Sequence, residues 1–283
     1  DTGGNTNTGG VKIYGNSTLR DLTIDSPNKV YTYGDDIQIE GIDINSGATF
    51  DSRGSDYLLI YGEHASARAI DCAGSFYGIG TLYEFTSATT SAIDVICSGS
   101  NYMGGMILNM PTGGNDFMEM LGGVTIENNL TIEDGNFYTQ SYDKDVTVGG
   151  DVIVEDGANL GRASPNQESG DFTFGSLTIN SGGTYYATNG TTNITSETSG
   201  GAAFSGSAGG TFTHNSGTVD IATGSFTTLS QSNAGNFYNL IRSGSNYLRS
   251  QTNLVIDNDL TIGSSGIYPA NSERSLTVSG DVI

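Results

Sequence analysis

A short phrase recurs along this chain at intervals that share one period. The phrase is a small or polar corner followed by apolar–x–apolar, and its first apolar residues lie at positions 22, 42, 130, 152, 177, 240, 260 and 282. The intervals are 20, 88, 22, 25, 63, 20 and 22 residues, and the two long intervals equal four periods of 22 and three of 21. A fixed period of twenty-odd residues is typical of solenoids, in which each repeat forms one coil.

The residues within the phrase predict strands and corners. Alternating apolar residues such as Val124 and Ile126 point inward and the residues between them point outward. Glycines such as Gly149 and Gly150 suit the corners. We therefore predict an all-β fold, a parallel β-helix (β-solenoid) with about 22 residues per coil. Right-handed coils are the default for parallel crossovers. A tandem array of β-sandwiches is the alternative fold, but it does not explain why the period of about 22 residues is kept across an interval of 88 residues.

The chain divides into three parts by composition. Residues 1–56 and 124–283 carry the regular phrase, whereas 57–123 are richer in apolar and aromatic residues and hold all five methionines. We interpret 57–123 as larger, more apolar coils with a better-filled core, and a thickened surface that binds a partner is the alternative. Because the sequence stops at Ile283 within the phrase, we expect the regular coils to continue beyond the segment.

The charge balance excludes two classes of partner. Only 10 Lys and Arg residues oppose 31 Asp and Glu residues, which gives a formal net charge of −21. Such a surface repels nucleic acid and anionic membranes. No run of about eighteen apolar residues is present, so we predict no membrane insertion.

Two cysteines occupy matching places in an internal repeat. CAGSFYGIG begins at Cys72 and CSGSNYMGG begins at Cys97, 25 residues later. This spacing predicts neighbouring coils, where the pair forms either a disulfide or a stack of buried thiols. Their apolar neighbours favour buried thiols.

Two aspartates form the candidate catalytic pair. Asp71 and Asp94 lie about one coil apart, with His64 and Arg68 upstream of them. Clustered carboxylates of this kind hydrolyse polysaccharides when one acid has a raised pKa. One pair is too small a constellation for a catalytic site, and we expect that the protein is not an enzyme.

Four acidic residues form the candidate metal site. Glu133 and Asp134 in TIEDGN lie 22 residues before Glu155 and Asp156 in VEDGAN, at the same predicted corner of successive coils. Stacked carboxylates repel one another unless a cation screens them, so a structural Ca²⁺ is one interpretation. An ordinary exposed turn is the other. We expect no other cofactor.

The repeats also resemble known families. Residues 211–221, 236–240 and 276–282 (TFTHNSGTVDI, NFYNL and LTVSGDV) resemble repetitive regions of bacterial surface adhesins and filament proteins, and equally those of phage tail fibres. Residues 57–123 are similar to rungs of the pectin-lyase-like right-handed β-helix. The resemblance implies attachment, scaffolding or, in some branches, polysaccharide cleavage.

Together these features predict a structural component of an extracellular or virion fibre. We expect a stiff rod on a cell or virion surface that self-associates end to end or laterally, as a homo-oligomer. An adhesin that recognises surface glycans is the first alternative, and a tailspike-like polysaccharide depolymerase is the second.

Overall fold

The chain forms a parallel β-solenoid whose coils hold about 23 residues. This computed structural model describes residues 10–62, 68–86, 92–97, 101–110, 116–139, 143–163, 168–231, 235–263 and 265–283. The all-β fold and the period of about 22 residues are confirmed, while the handedness of the coils stays a prediction. Within those ranges, no helix is long and apolar enough to cross a membrane.

The strands are short and follow one another in a fixed order. In chain order, those formed by the described residues are β1 (Val11–Tyr14), β2 (Thr18–Ile24), β3 (Lys29–Tyr33), β4 (Ile37–Ile44), β5 (Thr49–Gly54), β6 (Tyr57–Ile60), β7 (Ile70–Cys72), β8 (Ser75–Phe85), β9 (Ala92–Cys97), β10 (Asn101–Asn109), β11 (Phe117–Met120), β12 (Val124–Ile126), β13 (Leu130–Asp134), β14 (Asn136–Thr139), β15 (Val146–Val154), β16 (Asn159–Leu160), β17 (Phe172–Ile179), β18 (Thr184–Tyr186), β19 (Thr191–Ile194), β20 (Ala202–Gly206), β21 (Thr211–Thr213), β22 (Thr218–Ile221), β23 (Thr227–Gln231), β24 (Asn239–Arg242), β25 (Leu248–Ser250), β26 (Leu254–Ile256), β27 (Leu260–Ile262), β28 (Ile267–Pro269) and β29 (Leu276–Val278).

Each coil contributes strand segments to three parallel faces. The first face joins β1, β3, β5, β8, β10, β12, β15, β17, β19, β22, β24 and β27. The second face joins β2, β4, β6, β8, β10, β13, β15, β17, β20, β23, β25 and β28. The third face joins β2, β4, β7, β9, β11, β14, β16, β18 and β21, and β26 and β29 form a separate parallel pair. Long strands such as β4 and β8 bend at a corner and therefore serve two faces.

The corner between the second and third faces shows why glycine is used there. Gly157 and Gly182 adopt φ angles of 83° and 85°, a left-handed conformation that side chains with a Cβ disfavour. Their backbones also stack, because Gly157 N–H donates to the Gly182 carbonyl at 3.3 Å. The tight turn thus repeats from coil to coil.

Inward residues of successive coils build one continuous core. Aromatic rings extend through it: Phe212 lies 5.8 Å from Tyr185, 5.3 Å from Phe204 and 5.2 Å from Phe237, measured between ring centroids. The methionines between Met103 and Met120 are all buried. They fill the core in the region 57–123, and a division of the chain at residues 56 and 123 stays a prediction.

Candidate functional site

The register of the third face offsets the two candidate catalytic aspartates from each other. Asp71 lies opposite Ile96. Asp94 instead lies level with Ala69, whose N–H donates to the Asp94 carbonyl at 2.8 Å. The two acids therefore share an outward face but are displaced by two residues along the strands. Arg68 forms a salt bridge with Asp71.

His64 lies outside the described residues, and a catalytic role for Asp71 and Asp94 stays a prediction.

Asp94 has a different acidic neighbour. The pairing of β9 with β11 places it directly opposite Glu119 on the next coil. Burial raises the pKa of Asp94, although the positive charge of Arg68 opposes that shift. Glu119 accepts a hydrogen bond from Arg162 Nη2 at 2.5 Å.

Arg162 is the centre of a cluster that spans several coils. Its guanidinium lies 4.2 Å from the ring centroid of Tyr138. Its Nε lies 3.8 Å from a carboxylate oxygen of Glu168. Glu168 is buried and accepts hydrogen bonds from the N–H of Thr139, at 3.2 Å, and from its hydroxyl. Burial raises the pKa of Glu168, and the hydrogen bonds from Thr139 and the charge of Arg162 oppose this.

We call Asp94, Glu119, Tyr138, Arg162 and Glu168 the arginine cluster. One guanidinium compensates two carboxylates from different coils, so the cluster ties coils together. It also brings Asp94, whose pKa is raised by burial, directly opposite a second acidic residue, Glu119. Asp94 and Glu119 are thus level with each other along the strands, whereas Asp71 and Asp94 are displaced by two residues.

Sequence reasoning missed Glu119, Arg162 and Glu168 because none of them lies in the repeated phrase. Arg162 and Glu119 are 43 residues apart, which is about two coil lengths. The sequence held one signal for this cluster, the scarcity of cations. Because the chain has only 10 Lys and Arg residues, Arg162 close to a predicted corner could have been singled out as a partner for acidic residues.

The four candidate calcium ligands lie at one corner of successive coils. Ile132 pairs with Val154, and the two acidic pairs follow directly after these residues. Asn109 Nδ2 donates to Glu133 at 3.1 Å, and Asn180 Nδ2 donates to Glu155 at 2.7 Å.

Amide groups from neighbouring coils thus contact both glutamates of this corner. Where the chain is described, no three His, Cys, Asp or Glu side chains are grouped so that they could hold a metal ion. Calcium binding by Glu133, Asp134, Glu155 and Asp156 stays a prediction.

The two cysteines occupy equivalent positions on neighbouring coils. The register pairs Cys72 with Cys97, and the Cys72 side chain is buried. The side chain of Cys97 is outside the described part of the structure. The choice between a disulfide and stacked thiols therefore stays open.

Comparisons with protein-family models, with curated proteins and with solved structures found no match to this chain.

Proposed function

We propose that this chain is a stiff structural segment of an extracellular or virion-surface fibre that self-associates. The observation that carries the proposal is the continuity of the fold. Parallel pairing joins β1 to β28 in one sheet, with β26 and β29 as a separate parallel pair, and one apolar core passes through the coils. Since the strands of each coil pair with those of the neighbouring coils, such a molecule is long and narrow, which suits a rod.

The surface chemistry supports a scaffold outside the cell. A net charge of −21 keeps a narrow rod soluble and discourages binding to nucleic acid. The resemblance of the repeats to surface adhesins, filament proteins and phage tail fibres supports the same role. The partner in this proposal is a second copy of the chain, in lateral or end-to-end contact.

Electron microscopy and small-angle X-ray scattering of the purified chain test the proposal. Coils of about 23 residues, each adding about 4.8 Å, give a rod about 50 to 60 Å long. We expect rods at low concentration and bundles or filaments as the concentration rises. Leu177→Asp places a charge in the core and serves as the control, because both the rod and its assemblies should disappear.

A compact particle would contradict the proposal. A rod that stays monomeric at every concentration would contradict the self-association.

A further inference from the structure

An open cleft of about 380 Å³ lies on the first face, beside β3 and β5. It is lined by Tyr31, Thr32, Tyr33, Asp51, Arg53 and Gly54. Its volume falls near the lower end of the range for small-molecule sites in proteins, about 300 to 1,000 Å³. We call it the tyrosine–arginine cleft.

A β-bulge forms the cleft. Tyr31 pairs with Asp51 and Tyr33 pairs with Gly54, so β5 uses one more residue than β3 between these two pairs. Bulges redirect side chains and are frequent beside binding sites. Here Ser52 stays buried and the side chain of Arg53 is 54% exposed.

Buried hydroxyl groups hold the bulge from below. Ser55 Oγ donates to Thr32 Oγ1 at 2.8 Å, and Thr81 Oγ1 donates to the Ser52 carbonyl at 2.6 Å. The Tyr83 hydroxyl forms a hydrogen bond with Ser52 Oγ. All of these residues are buried, so the network fixes the floor of the cleft before any ligand arrives.

The charged wall of the cleft is equally well positioned. Arg53 contacts Asp51 in a bidentate manner, with Nε 2.9 Å from Oδ1 and Nη2 2.6 Å from Oδ2. Its guanidinium lies 5.3 Å from the ring centroid of Tyr77. These bonds lower the pKa of Asp51, so it is ionised at neutral pH. They use two of the five N–H donors of Arg53 and leave others for a ligand.

The aromatic wall is held by a glycine and a second ring. A Cβ at Gly54 would lie 2.6 Å from ring atom Cδ1 of Tyr33, so the ring position requires glycine there. On its other side Tyr33 stacks on Tyr14, with 5.7 Å between ring centroids. Tyr31 lies two residues before Tyr33 and thus faces the same side of the strand.

We propose that the tyrosine–arginine cleft binds one or two units of a neutral saccharide. The faces of Tyr31 and Tyr33 offer rigid apolar surface to the C–H groups of a sugar ring. The Asp51–Arg53 pair offers acceptors and donors side by side for adjacent sugar hydroxyls.

Charge favours a neutral sugar over an acidic one. The Asp51–Arg53 pair carries no net charge, and Lys12 Nζ, 5.8 Å from the ring centroid of Tyr33, adds one local positive charge. The net charge of −21 on the whole chain outweighs this single cation and disfavours the approach of an anionic sugar. This binding site is independent of the proposed fibre role.

A glycan array tests the proposal. It carries neutral oligosaccharides of glucose, galactose, mannose and N-acetylglucosamine, together with uronic-acid and sialylated oligosaccharides. We expect the intact chain to bind a neutral member, and titration calorimetry with that oligosaccharide then gives the affinity. Tyr33→Ala should weaken it about tenfold or more, because the variant loses both the apolar area of the ring and its stacking on the sugar.

Arg53→Gln should weaken binding at least as much, since the charged donor is lost. Tyr268→Ala is the matched control: Tyr268 is 52% exposed on the second face and should leave affinity unchanged. Arg53→Gln leaves Asp51 without its cation. If the Arg53→Gln variant does not fold, the affinity of Tyr33→Ala decides the test.

Three results would overturn the proposal: no neutral oligosaccharide binds, only acidic ones bind, or Tyr268→Ala loses as much affinity as Tyr33→Ala. Electron microscopy of Tyr33→Ala should still show rods, so failure of the fibre proposal is recognised separately.

Discussion

Arg242 is a buried cation at a position where the repeat predicts an apolar side chain. It donates to the carbonyls of Ile221, at 2.5 Å, of Thr223, at 3.1 Å, and of Asn246. Burial lowers the pKa of Arg242. A Cβ at Gly244 would overlap its guanidinium, so glycine makes room for it. Arg242 therefore acts as a side-chain cap for carbonyl groups at a corner.

Arg242→Met tests this role. Methionine keeps an apolar stem but removes the charged donor. Ile221 and Asn246 still accept from Gly244 N–H and Ser265 Oγ, whereas the Thr223 carbonyl loses its bond to the guanidinium. We expect the free energy of unfolding to fall by about 2 to 3 kcal/mol, because a hydrogen bond from a charged group contributes about 1.5 to 3 kcal/mol. Urea denaturation followed by circular dichroism measures it. Arg249→Met is the control, since Arg249 is exposed and donates at 3.1 Å to the exposed carbonyl of Ala270; a change within about 0.5 kcal/mol is expected. Equal losses in the two variants would show that Arg242 is not a cap.

At the scale of strands, Glu168 connects the end of β14 with the segment that leads into β17. It precedes β17, yet it holds the N–H and hydroxyl of Thr139 at the end of β14. Its carboxyl has a raised pKa because it is buried. The folded chain thus retains a proton at pH values where the unfolded chain has already lost it. The stability that this provides is complete below the ordinary glutamate pKa of about 4.3 and is lost as pH rises through the raised pKa.

Glu168→Gln removes this titration and keeps the shape of the side chain. The melting temperature of the parent chain minus that of the variant should be larger at about pH 4 than at about pH 7. Thermal unfolding followed by circular dichroism at the two pH values measures the difference. A difference that is constant, or that grows with pH, would mean that the carboxyl does not titrate as its burial implies.

Strand positions could be predicted from the sequence because the repeated apolar–x–apolar phrase itself contains the residues that point inward. Leu130 pairs with Val152 at the offset of 22 that the repeat gives. Offsets elsewhere depend on corner length: Val11 pairs with Val30, whereas Thr184 pairs with Thr211.

The two candidate catalytic aspartates are out of register with each other for this reason, and their catalytic role stays a prediction. Asp71 and Asp94 are 23 residues apart, whereas the local offset between β7 and β9 is 25, so the second aspartate falls two residues short. The β-bulge at Arg53 and the contact of Arg162 with Glu119 could not be predicted from the sequence either. Both depend on the conformation of the corners, which the repeated phrase does not encode.

Over the whole molecule, self-repulsion opposes the fold. A net charge of −21 is spread along a narrow rod, and salt weakens the repulsion between these charges. Raising NaCl from about 10 mM to about 150 mM shortens the screening length from about 30 Å to about 8 Å. We expect the melting temperature to rise over this range, measured by calorimetry. A melting temperature that falls would indicate that attractive ion pairs dominate.

The same measurement separates calcium from simple screening. If the corner at Glu133, Asp134, Glu155 and Asp156 binds Ca²⁺, CaCl₂ should raise the melting temperature more than NaCl does at equal ionic strength. Asp134→Asn combined with Asp156→Asn should remove only that surplus. Equal effects of the two salts would leave this corner as an ordinary acidic turn.

The corners of this solenoid differ in length from coil to coil, whereas the inward-facing positions of the strands repeat. This difference determines how such a molecule can change in length. Leu130 pairs with Met106 on one side and with Val152 on the other, and all three are buried. Removal of residues 130–151 would bring Val152 onto Met106 in the place that Leu130 now holds. A whole coil is therefore a unit that can be deleted or duplicated while the packing on either side is kept. The length of the solenoid can therefore change in steps of one coil while the packing between coils stays the same.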